Sequence, residues 1–174
     1  MEKKINRRDF LRATVAAGAL AASSSRVLGA PAIRRSGSRP VIISSGNGNV
    51  VLNGGTETCV ELAFRKMTAG DDVLDSLIAG VNIVELDPSD TSVGFGGLPD
   101  GDGNVVLDSC CMHGPRKQAG GVAALQGVRT PSLVAKAVAA STDHHLLVDQ
   151  GAQRFARNMG FTIEDDLNTP LSRS

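Results

Sequence analysis

A short polar loop after the first apolar run is the first place where chemistry is expected. Val41-Ile42-Ile43 predicts a buried strand, and Gly46-Asn47-Gly48 follows it directly. A dinucleotide site would require the pattern G-x-G-x-x-G, but Val51 occupies the third glycine position. The following helix, predicted to start near Thr56, also begins too late to receive a phosphate on its N-terminus. The loop is therefore not a nucleotide site.

Asp100, Asp102 and Asn104 are spaced like the first ligands of a calcium loop. That loop requires glycine at its sixth position and glutamate at its twelfth, where this chain has Val105 and Cys111. A tight polar turn joining two strands is the better interpretation.

The histidines and cysteines also lack the spacing of a metal or catalytic site. Two of the three histidines are adjacent, so they cannot share a helical face, and no zinc site is predicted. No serine lies on a G-x-S-x-G turn. The three cysteines predict small buried side chains, with one bridge from Cys59 possible. We expect no metal and no cofactor; the residues considered are His113, His144, His145, Cys59, Cys110 and Cys111.

Three glycines in four positions, Gly94, Gly96 and Gly97, form the most unusual stretch of the chain. Such a stretch indicates backbone conformations closed to other residues, or a close approach to another group. A buried turn and the wall of a pocket are both compatible with it.

The periodicity of apolar residues predicts the elements that position these loops. After the first strand, it predicts two helices, two strands, a helix, a short strand and a last helix, an order that favours an α+β fold with a mixed sheet. The first helix is predicted to have its N-cap at Thr56, an apolar stripe of Val60, Ala63, Phe64 and Met67, and its end at Gly70; the second is predicted to begin at a cap on Asp71 or Asp72 and to stop at Asp87-Pro88. Two strands are predicted over 104–112 and 120–126, followed by a helix from Thr130-Pro131 to about Ala140 and a short strand over 145–148. The last helix is predicted from a stripe of Ala152, Phe155, Ala156 and Met159.

Composition excludes several classes of protein. Hydrophobic residues make up 41% of the 174 residues, enough for a packed core, which argues against disorder. The formal net charge is zero and aromatic residues are only 3%, so neither phosphate contacts nor base stacking is favoured, and no nucleic-acid partner is expected.

The first 32 residues predict an export signal. Six basic and two acidic residues lie there, including the twin arginines Arg7-Arg8. A weakly apolar stretch over 13–22 follows, too short to span a bilayer, and then the small-x-small site Ala30-Pro31-Ala32. We expect a twin-arginine signal peptide over 1–32, a linker over 33–39 and a mature domain over 40–174. The mature protein would be periplasmic or secreted, without a membrane anchor after export.

Several ordered motifs together resemble one known family. The run Asp87 to Pro99, with Ser92-Val93-Gly94-Phe95-Gly96-Gly97 inside it, is similar to a signature of glycosylasparaginases and isoaspartyl peptidases. The helix entry at 70–75, the strand at 104–110, the segments at 121–125 and 130–135, and Gly151-Ala152 with Phe155-Ala156 resemble further motifs of that family in the same order. The resemblance covers roughly residues 40–170.

The resemblance implies an N-terminal-nucleophile hydrolase fold, an αββα sandwich of which this chain would be the α part. In such enzymes the precursor cuts itself, and the freed amine of an N-terminal threonine activates its own hydroxyl. The substrate would be the side-chain amide of asparagine, often sugar-linked, or a β-aspartyl bond. The expected partners are the β part of the same precursor and a second αβ pair. A non-catalytic exported binding module with half of this fold is the alternative.

The chain departs from the family pattern at two places. No cleavage motif with a threonine nucleophile is present, and Thr169 is followed by Pro170 and does not resemble one. We therefore expect no catalytic residue within this chain. Glycosylasparaginases carry a pocket-shaping tryptophan where Gly46 stands here. The resemblance thus assigns Gly46, Asn47 and Gly48 to a substrate pocket of altered specificity, and Gly94, Gly96 and Gly97 to a structural glycine loop.

Overall fold

The computed structural model describes residues 39–174. The predicted signal peptide and nearly all of the predicted linker lie outside the described residues. Within them the chain forms a 3-10 turn at Asn47–Asn49, four α-helices and three strands. The elements, in order, are α1 (Cys59–Thr68), α2 (Val73–Glu85), β1 (Leu107–His113), β2 (Gln118–Leu125), α3 (Pro131–Ser141), β3 (Leu147–Val148) and α4 (Asp149–Asn158). This mixture of helices with a small sheet agrees with the predicted α+β class.

The predicted first strand is wrong as an assignment of secondary structure. Residues 41–45 are extended but pair with no strand in the described part of the chain. Exposure alternates along the segment, and Val41 and Ile43 are 73% and 89% exposed. A strand needs a neighbour to receive its backbone hydrogen bonds, and apolar residues alone do not supply one.

The first helix starts two residues later than Thr56, the predicted cap. Thr58 is the N-cap, and its side chain accepts a hydrogen bond from the Glu61 amide at 3.4 Å while Glu61 accepts one from the Thr58 amide at 2.9 Å. This reciprocal box needs glutamate three residues after the cap, which Thr56 lacks. At the other end Gly70 has φ of +99°, as expected of a residue that terminates a helix.

The second helix, α2, confirms its predicted cap and stop. Asp72 is the N-cap and accepts hydrogen bonds from the amides of Leu74 and Asp75. The helix ends at Glu85, two residues before Asp87-Pro88. Leu74, Ile78 and Val84 are buried, so the helix presents one apolar face to the rest of the domain.

The sheet is mixed, as predicted, with the order β1-β2-β3. β1 and β2 are antiparallel, with Leu107 opposite Leu125, whereas β2 and β3 run parallel, with Val122 opposite Leu147. β1 begins three residues later than the predicted Asn104. Val105 instead forms an isolated bridge with Pro99, across the turn that contains Asp100 and Asp102.

Helices α3 and α4 cover one face of the sheet and bury the main core. Their contacts with the strands leave side chains of α3, α4 and β2 fully buried. The opposite face is open in the described residues: Met112 is 75% exposed and Cys110 is also exposed, which corrects the prediction that all three cysteines are buried. The main core consists of Val122, Leu125, Val128, Val134, Ala135, Val138, Ala152 and Ala156.

A smaller core fixes the last residues of the chain. Leu167 is 2% exposed and packs with Val105, Leu107 and Phe95. Among the described residues no helix or strand forms after Asn158. Within residues 39–174 no helix is long and apolar enough to cross a membrane.

Candidate functional site

The Asn47 side chain joins the first loop to the start of the glycine-rich signature. Its Nδ2 donates to Ser92 Oγ at 2.9 Å and reaches Asp90 Oδ2 at 3.4 Å. Its Oδ1 accepts hydrogen bonds from the Gly48 amide at 2.9 Å and from Ser45 Oγ. Two segments separated by more than forty residues are therefore held together by one amide group.

Asp90 and Ser92 belong to this cluster although sequence analysis did not single them out. Ser92 donates to the Asp90 carboxylate through both its amide and its hydroxyl group. Partial burial disfavours the charged form of Asp90, but the hydrogen bonds from Ser92 and Asn47 outweigh it, and the pKa of Asp90 lies below its ordinary value. Asp90 is therefore an anion that orients Asn47. The turn-forming pair Asp-x-Ser was the only local signal for it.

Gly46 and Gly48 occupy very different surroundings within the same loop. A Cβ atom at Gly46 would have no atom within 4 Å, so this position faces open space. A Cβ atom at Gly48 would lie 2.7 Å from Ser44 Oγ and 3.6 Å from Cys59 Sγ. Gly48 thus allows the loop to pack on the extended segment that precedes it, whereas Gly46 leaves room for a ligand or a larger side chain.

An apolar cavity of about 260 Å³ lies beneath this loop. It is bounded by the extended segment on one side and by the apolar faces of α1 and α2 on the other. Burial raises the pKa of the Cys59 thiol, which keeps it protonated and unreactive at this wall. The lining includes Ile42, Ser44, Gly48, Cys59, Leu77, Val84 and Val93.

The glycine stretch is a buried turn packed against the end of α2. Gly94 has φ of +62°, and a Cβ atom there would lie 2.1 Å from the carbonyl oxygen of Glu85. Gly96 has φ of +83°, with its amide donating to the Leu167 carbonyl at 2.9 Å and Thr169 packed against its Cα. Gly97 lies against Leu107. Gly94 and Gly96 therefore combine both properties that favour glycine, left-handed backbone and close approach.

The side chain of Asp100 is hydrogen-bonded to backbone amides of its own turn. Asp100 Oδ1 accepts hydrogen bonds from the amides of Asp102 at 3.0 Å and Asn104 at 2.9 Å. No cluster of three potential metal ligands occurs among the described residues. The observed geometry is that of the tight turn that sequence analysis favoured.

The histidines do not converge on the candidate site. His144 and His145 are exposed, as expected of surface residues. His113 is buried at the end of β1, where its Nε2 lies 2.8 Å from Asp72 Oδ2 and its Nδ1 accepts from the Arg116 amide. These two contacts assign the neutral tautomer with the proton on Nε2. His113 thus joins the hairpin to α2.

Comparison with known proteins identifies the group to which this geometry belongs. The family model described as asparaginase matches residues 36–173. The chain belongs to the asparaginase family. The resemblance seen in the signature around Gly94 is thereby confirmed. The similar proteins are named as asparaginases, which are amide hydrolases, so this chain belongs to a family of hydrolases.

The regions matched in individual relatives span most of this chain but less than half of each relative's own length. The N(4)-(beta-N-acetylglucosaminyl)-L-asparaginase of Elizabethkingia miricola is 36% identical over 166 residues, which are 92% of this chain and 46% of that protein. The mouse protein of the same name is 35% identical over 84% of this chain and 40% of its own length. The plant-type L-asparaginase of Pyrococcus horikoshii is 36% identical over 62% of this chain and 34% of its own length.

A second family model supports the prediction of export. The model of twin-arginine translocation signal sequences matches residues 4–24 of the asparaginase-family chain. This agrees with the twin arginines Arg7-Arg8 and the apolar stretch behind them. The signal itself lies outside the described residues.

Proposed function

We propose that this chain is the α part of an exported amidohydrolase that cleaves the side-chain amide of an asparagine-type substrate or a β-aspartyl bond. The observation that supports this most directly is the family match over residues 36–173, combined with the hydrogen-bonded cluster of Asn47, Asp90 and Ser92 inside the matched region. The relatives' names supply the substrate class, which is transferred here only as part of the proposal.

In the proposed reaction the nucleophile is a threonine in polypeptide C-terminal to this chain. Its α-amine takes the proton from its own hydroxyl, and the alkoxide attacks the side-chain carbonyl carbon of the substrate. Hydrogen-bond donors stabilise the oxyanion of the tetrahedral intermediate, the α-ammonium group passes its proton to the departing amine, and water hydrolyses the acyl-enzyme. Residues 46–48 would form one wall of the pocket. Asn47, held by Asp90, would fix the position of that wall.

The open surfaces of the described domain fit a protein partner. Val41 and Ile43 are exposed on an unpaired extended segment, and the free face of the sheet exposes Met112. Unpaired backbone next to apolar side chains favours the addition of further strands. We propose that the β part of the same precursor covers them, giving the αββα sandwich, and that two αβ pairs form a dimer. Residues 33–174 expressed alone would then aggregate, whereas a stable monomer would contradict this part of the proposal.

The specificity of the pocket would differ from that of sugar-linked asparaginases. The resemblance places Gly46 where glycosylasparaginases carry tryptophan, and a Cβ atom at Gly46 would have no atom within 4 Å. We propose that the substrate lacks the sugar, or that a different group fills this space. The G46W variant should then shift kcat/KM between asparagine and N4-acetylglucosaminyl-asparagine by more than the G46A variant does.

The experiment that tests the function uses the full-length gene product, including any sequence after Ser174. Release of ammonia or of the amine is measured with asparagine, a β-aspartyl dipeptide and N4-acetylglucosaminyl-asparagine. N47A should raise KM by about two- to tenfold, since one hydrogen bond is worth roughly 0.5–1.5 kcal/mol. N49A is the matched control, because the side chain of Asn49 hydrogen-bonds to Ser44 and Ser45 of its own segment and not to Asp90 or Ser92. Absence of hydrolysis with all three substrates would refute the enzyme and favour the binding module.

Export is proposed to deliver the protein to the periplasm or to the medium. A fusion of residues 1–39 to a reporter that is active only after folding in the cytoplasm would test the route. Replacement of both Arg7 and Arg8 by lysine should block export, as the twin-arginine pathway requires this pair. Unchanged export in that variant would exclude this pathway.

A further inference from the structure

Glu85, the last residue of α2, places its carboxyl group in the interior at the start of α3. The residue is 2% exposed. Its Oε1 accepts a hydrogen bond from the Ser132 amide at 2.9 Å, and its Oε2 accepts bonds from Ser132 Oγ at 2.7 Å and Asn82 Nδ2 at 2.6 Å. Asn82 also donates to Ser132 Oγ at 3.0 Å. Every polar atom of the Glu85 side chain therefore has a partner.

The carboxyl group of Glu85 caps the N-terminus of α3, which has no capping side chain of its own. The first amides of a helix have no partner within the helix, and the N-cap side chain usually accepts from one of them. Thr130, at the N-cap of α3, makes no such hydrogen bond, and Pro131 has no amide proton. Glu85 accepts from the next amide, that of Ser132. The cap of α3 thus comes from a different helix.

The backbone of the same residue closes the loop formed by residues 86–94. The Phe95 amide donates to the Glu85 carbonyl oxygen at 2.7 Å, so both ends of the 86–94 loop meet at Glu85. Gly94 packs directly on the Glu85 backbone. The loop carries Asp90 and Ser92, which hold Asn47. A displacement of Glu85 relative to α3 would therefore move the loop and its two contacts.

We propose that Glu85 is a positioning residue for the Asn47 cluster: the hydrogen bonds of its carboxyl group to α3 fix the base of the 86–94 loop. Its effect on a substrate rests on the proposed function, but its effect on the loop does not. Loss of the bonds to Ser132 and Asn82 would loosen the loop, leave the β1–β2 hairpin intact, and weaken substrate binding through Asn47.

The test is amide hydrogen exchange of the full-length protein in the E85Q variant. Glutamine keeps the shape of the side chain, but its NH₂ group would face the NH₂ group of Asn82. Exchange in peptides covering residues 86–97 should accelerate by about two- to tenfold, since one hydrogen bond contributes roughly 0.5–1.5 kcal/mol. Exchange in β1 and β2 should stay at the wild-type rate. E57Q is the matched control, because Glu57 pairs with Arg65 at the surface.

Two results would overturn the proposal. One is exchange in the 86–97 peptides equal to that of E57Q; the other is an equal acceleration throughout β1 and β2, which would indicate global destabilisation only. If E85Q does not fold, the same exchange measurement is made on S132A, which removes only the hydroxyl contact with Glu85, and the same two results would overturn the proposal. In the hydrolysis assay E85Q should raise KM and change kcat by less than about twofold. An inactive wild-type protein would refute the proposed function and leave the exchange result to decide on Glu85.

Discussion

The Asp72 carboxylate accepts a hydrogen bond from His113 Nε2 at 2.8 Å, which connects the start of α2 to the end of β1. The same carboxylate caps α2 through the amides of Leu74 and Asp75, and it accepts from Arg116 at 3.2 Å. One side chain thus serves both as a local cap and as a tertiary contact. Sequence analysis predicted the cap from the residue type but had no signal for the contact with His113.

Asp72 should make stability depend on pH in the acid range. The hydrogen bond from His113 is the main cause that lowers the pKa of Asp72 from its ordinary value of 3.8. A carboxyl group with a depressed folded-state pKa contributes stability above its unfolded pKa and loses it as pH falls through the folded value. The urea midpoint of the full-length wild type should exceed that of D72N at neutral pH, and the gap should narrow below about pH 4.

The neighbouring residue provides the control for that measurement. Asp71 pairs with Lys66 at the surface. D71N should lower the urea midpoint only slightly, as exposed ion pairs are worth about 0–1 kcal/mol. A gap between wild type and D72N that stays constant from pH 3 to pH 7 would show that Asp72 acts through its shape and not through its charge.

Two glycines of the candidate site should respond oppositely to alanine. In G94A the new Cβ atom would lie 2.1 Å from the Glu85 carbonyl oxygen on a backbone with φ of +62°, so we expect a loss of at least about 2–4 kcal/mol or failure to fold. Gly46 has φ of −56° and open space around it, so G46A should be neutral or stabilising by about 0.4–1 kcal/mol. Thermal unfolding of G94A and G46A measures both changes in stability. Similar losses of stability in the two variants would mean that Gly46 is also tightly packed.

The accuracy of the sequence predictions depended on how local the deciding interaction is. Gly70 was predicted correctly, and Asp72 was one of the two caps predicted for α2, because helix ends are recognised by residues within one turn. The capping box of Thr58 with Glu61 sets the start of α1 and is equally local, whereas residue type alone also allows a cap at Thr56. Val41 was assigned to a strand from its apolar neighbours, but a strand is defined by its partner, which no local pattern supplies.

The contacts of the candidate site were predictable only in part. Asn47 was chosen through resemblance, and the structure adds that Asp90 and Ser92 are its partners. Hydrogen bonds between side chains more than forty residues apart depend on how the helices pack, so no spacing rule reveals them. Glu85 was not singled out at all, since a glutamate at a helix end is ordinarily exposed.

A strained residue at the junction of β3 and α4 offers a third test. Asp149 has φ of +49° at the point where the chain passes from Val148 directly into the helix. D149G should raise the free energy of unfolding by roughly 0.5–1 kcal/mol, since relief of the left-handed conformation, about 1–2 kcal/mol, exceeds the backbone entropy cost of glycine. D143G is the control, as Asp143 lies in the connection before β3 without a positive φ. Stabilisation by D143G equal to that by D149G would contradict the explanation by strain.

Arg129 contacts both Glu164 of the C-terminal segment and Phe95 of the glycine turn, and the last prediction concerns this contact. Its Nε and one terminal nitrogen donate to the two oxygens of Glu164 at 2.6 and 2.7 Å, and its guanidinium lies 3.8 Å from the centre of the Phe95 ring. Lysine can neither form the paired hydrogen bonds nor stack as a plane. R129K should therefore cost about 1 kcal/mol beyond an ordinary surface pair, from the ring contact and the partial burial.

Arg65 separates the ring contact from the paired hydrogen bonds. It binds Glu57 in the same two-point manner, at 2.7 and 2.8 Å, on the surface of α1, and among the described residues only Arg129 adds an aromatic ring. R65K measures the value of the two-point pair alone. Replacing Phe95 by leucine should reduce the cost of R129K towards that of R65K, because the ring contact supplies part of the excess. If urea unfolding gives equal costs for R129K and R65K with Phe95 in place, the ring contributes nothing and Glu164 alone holds the segment.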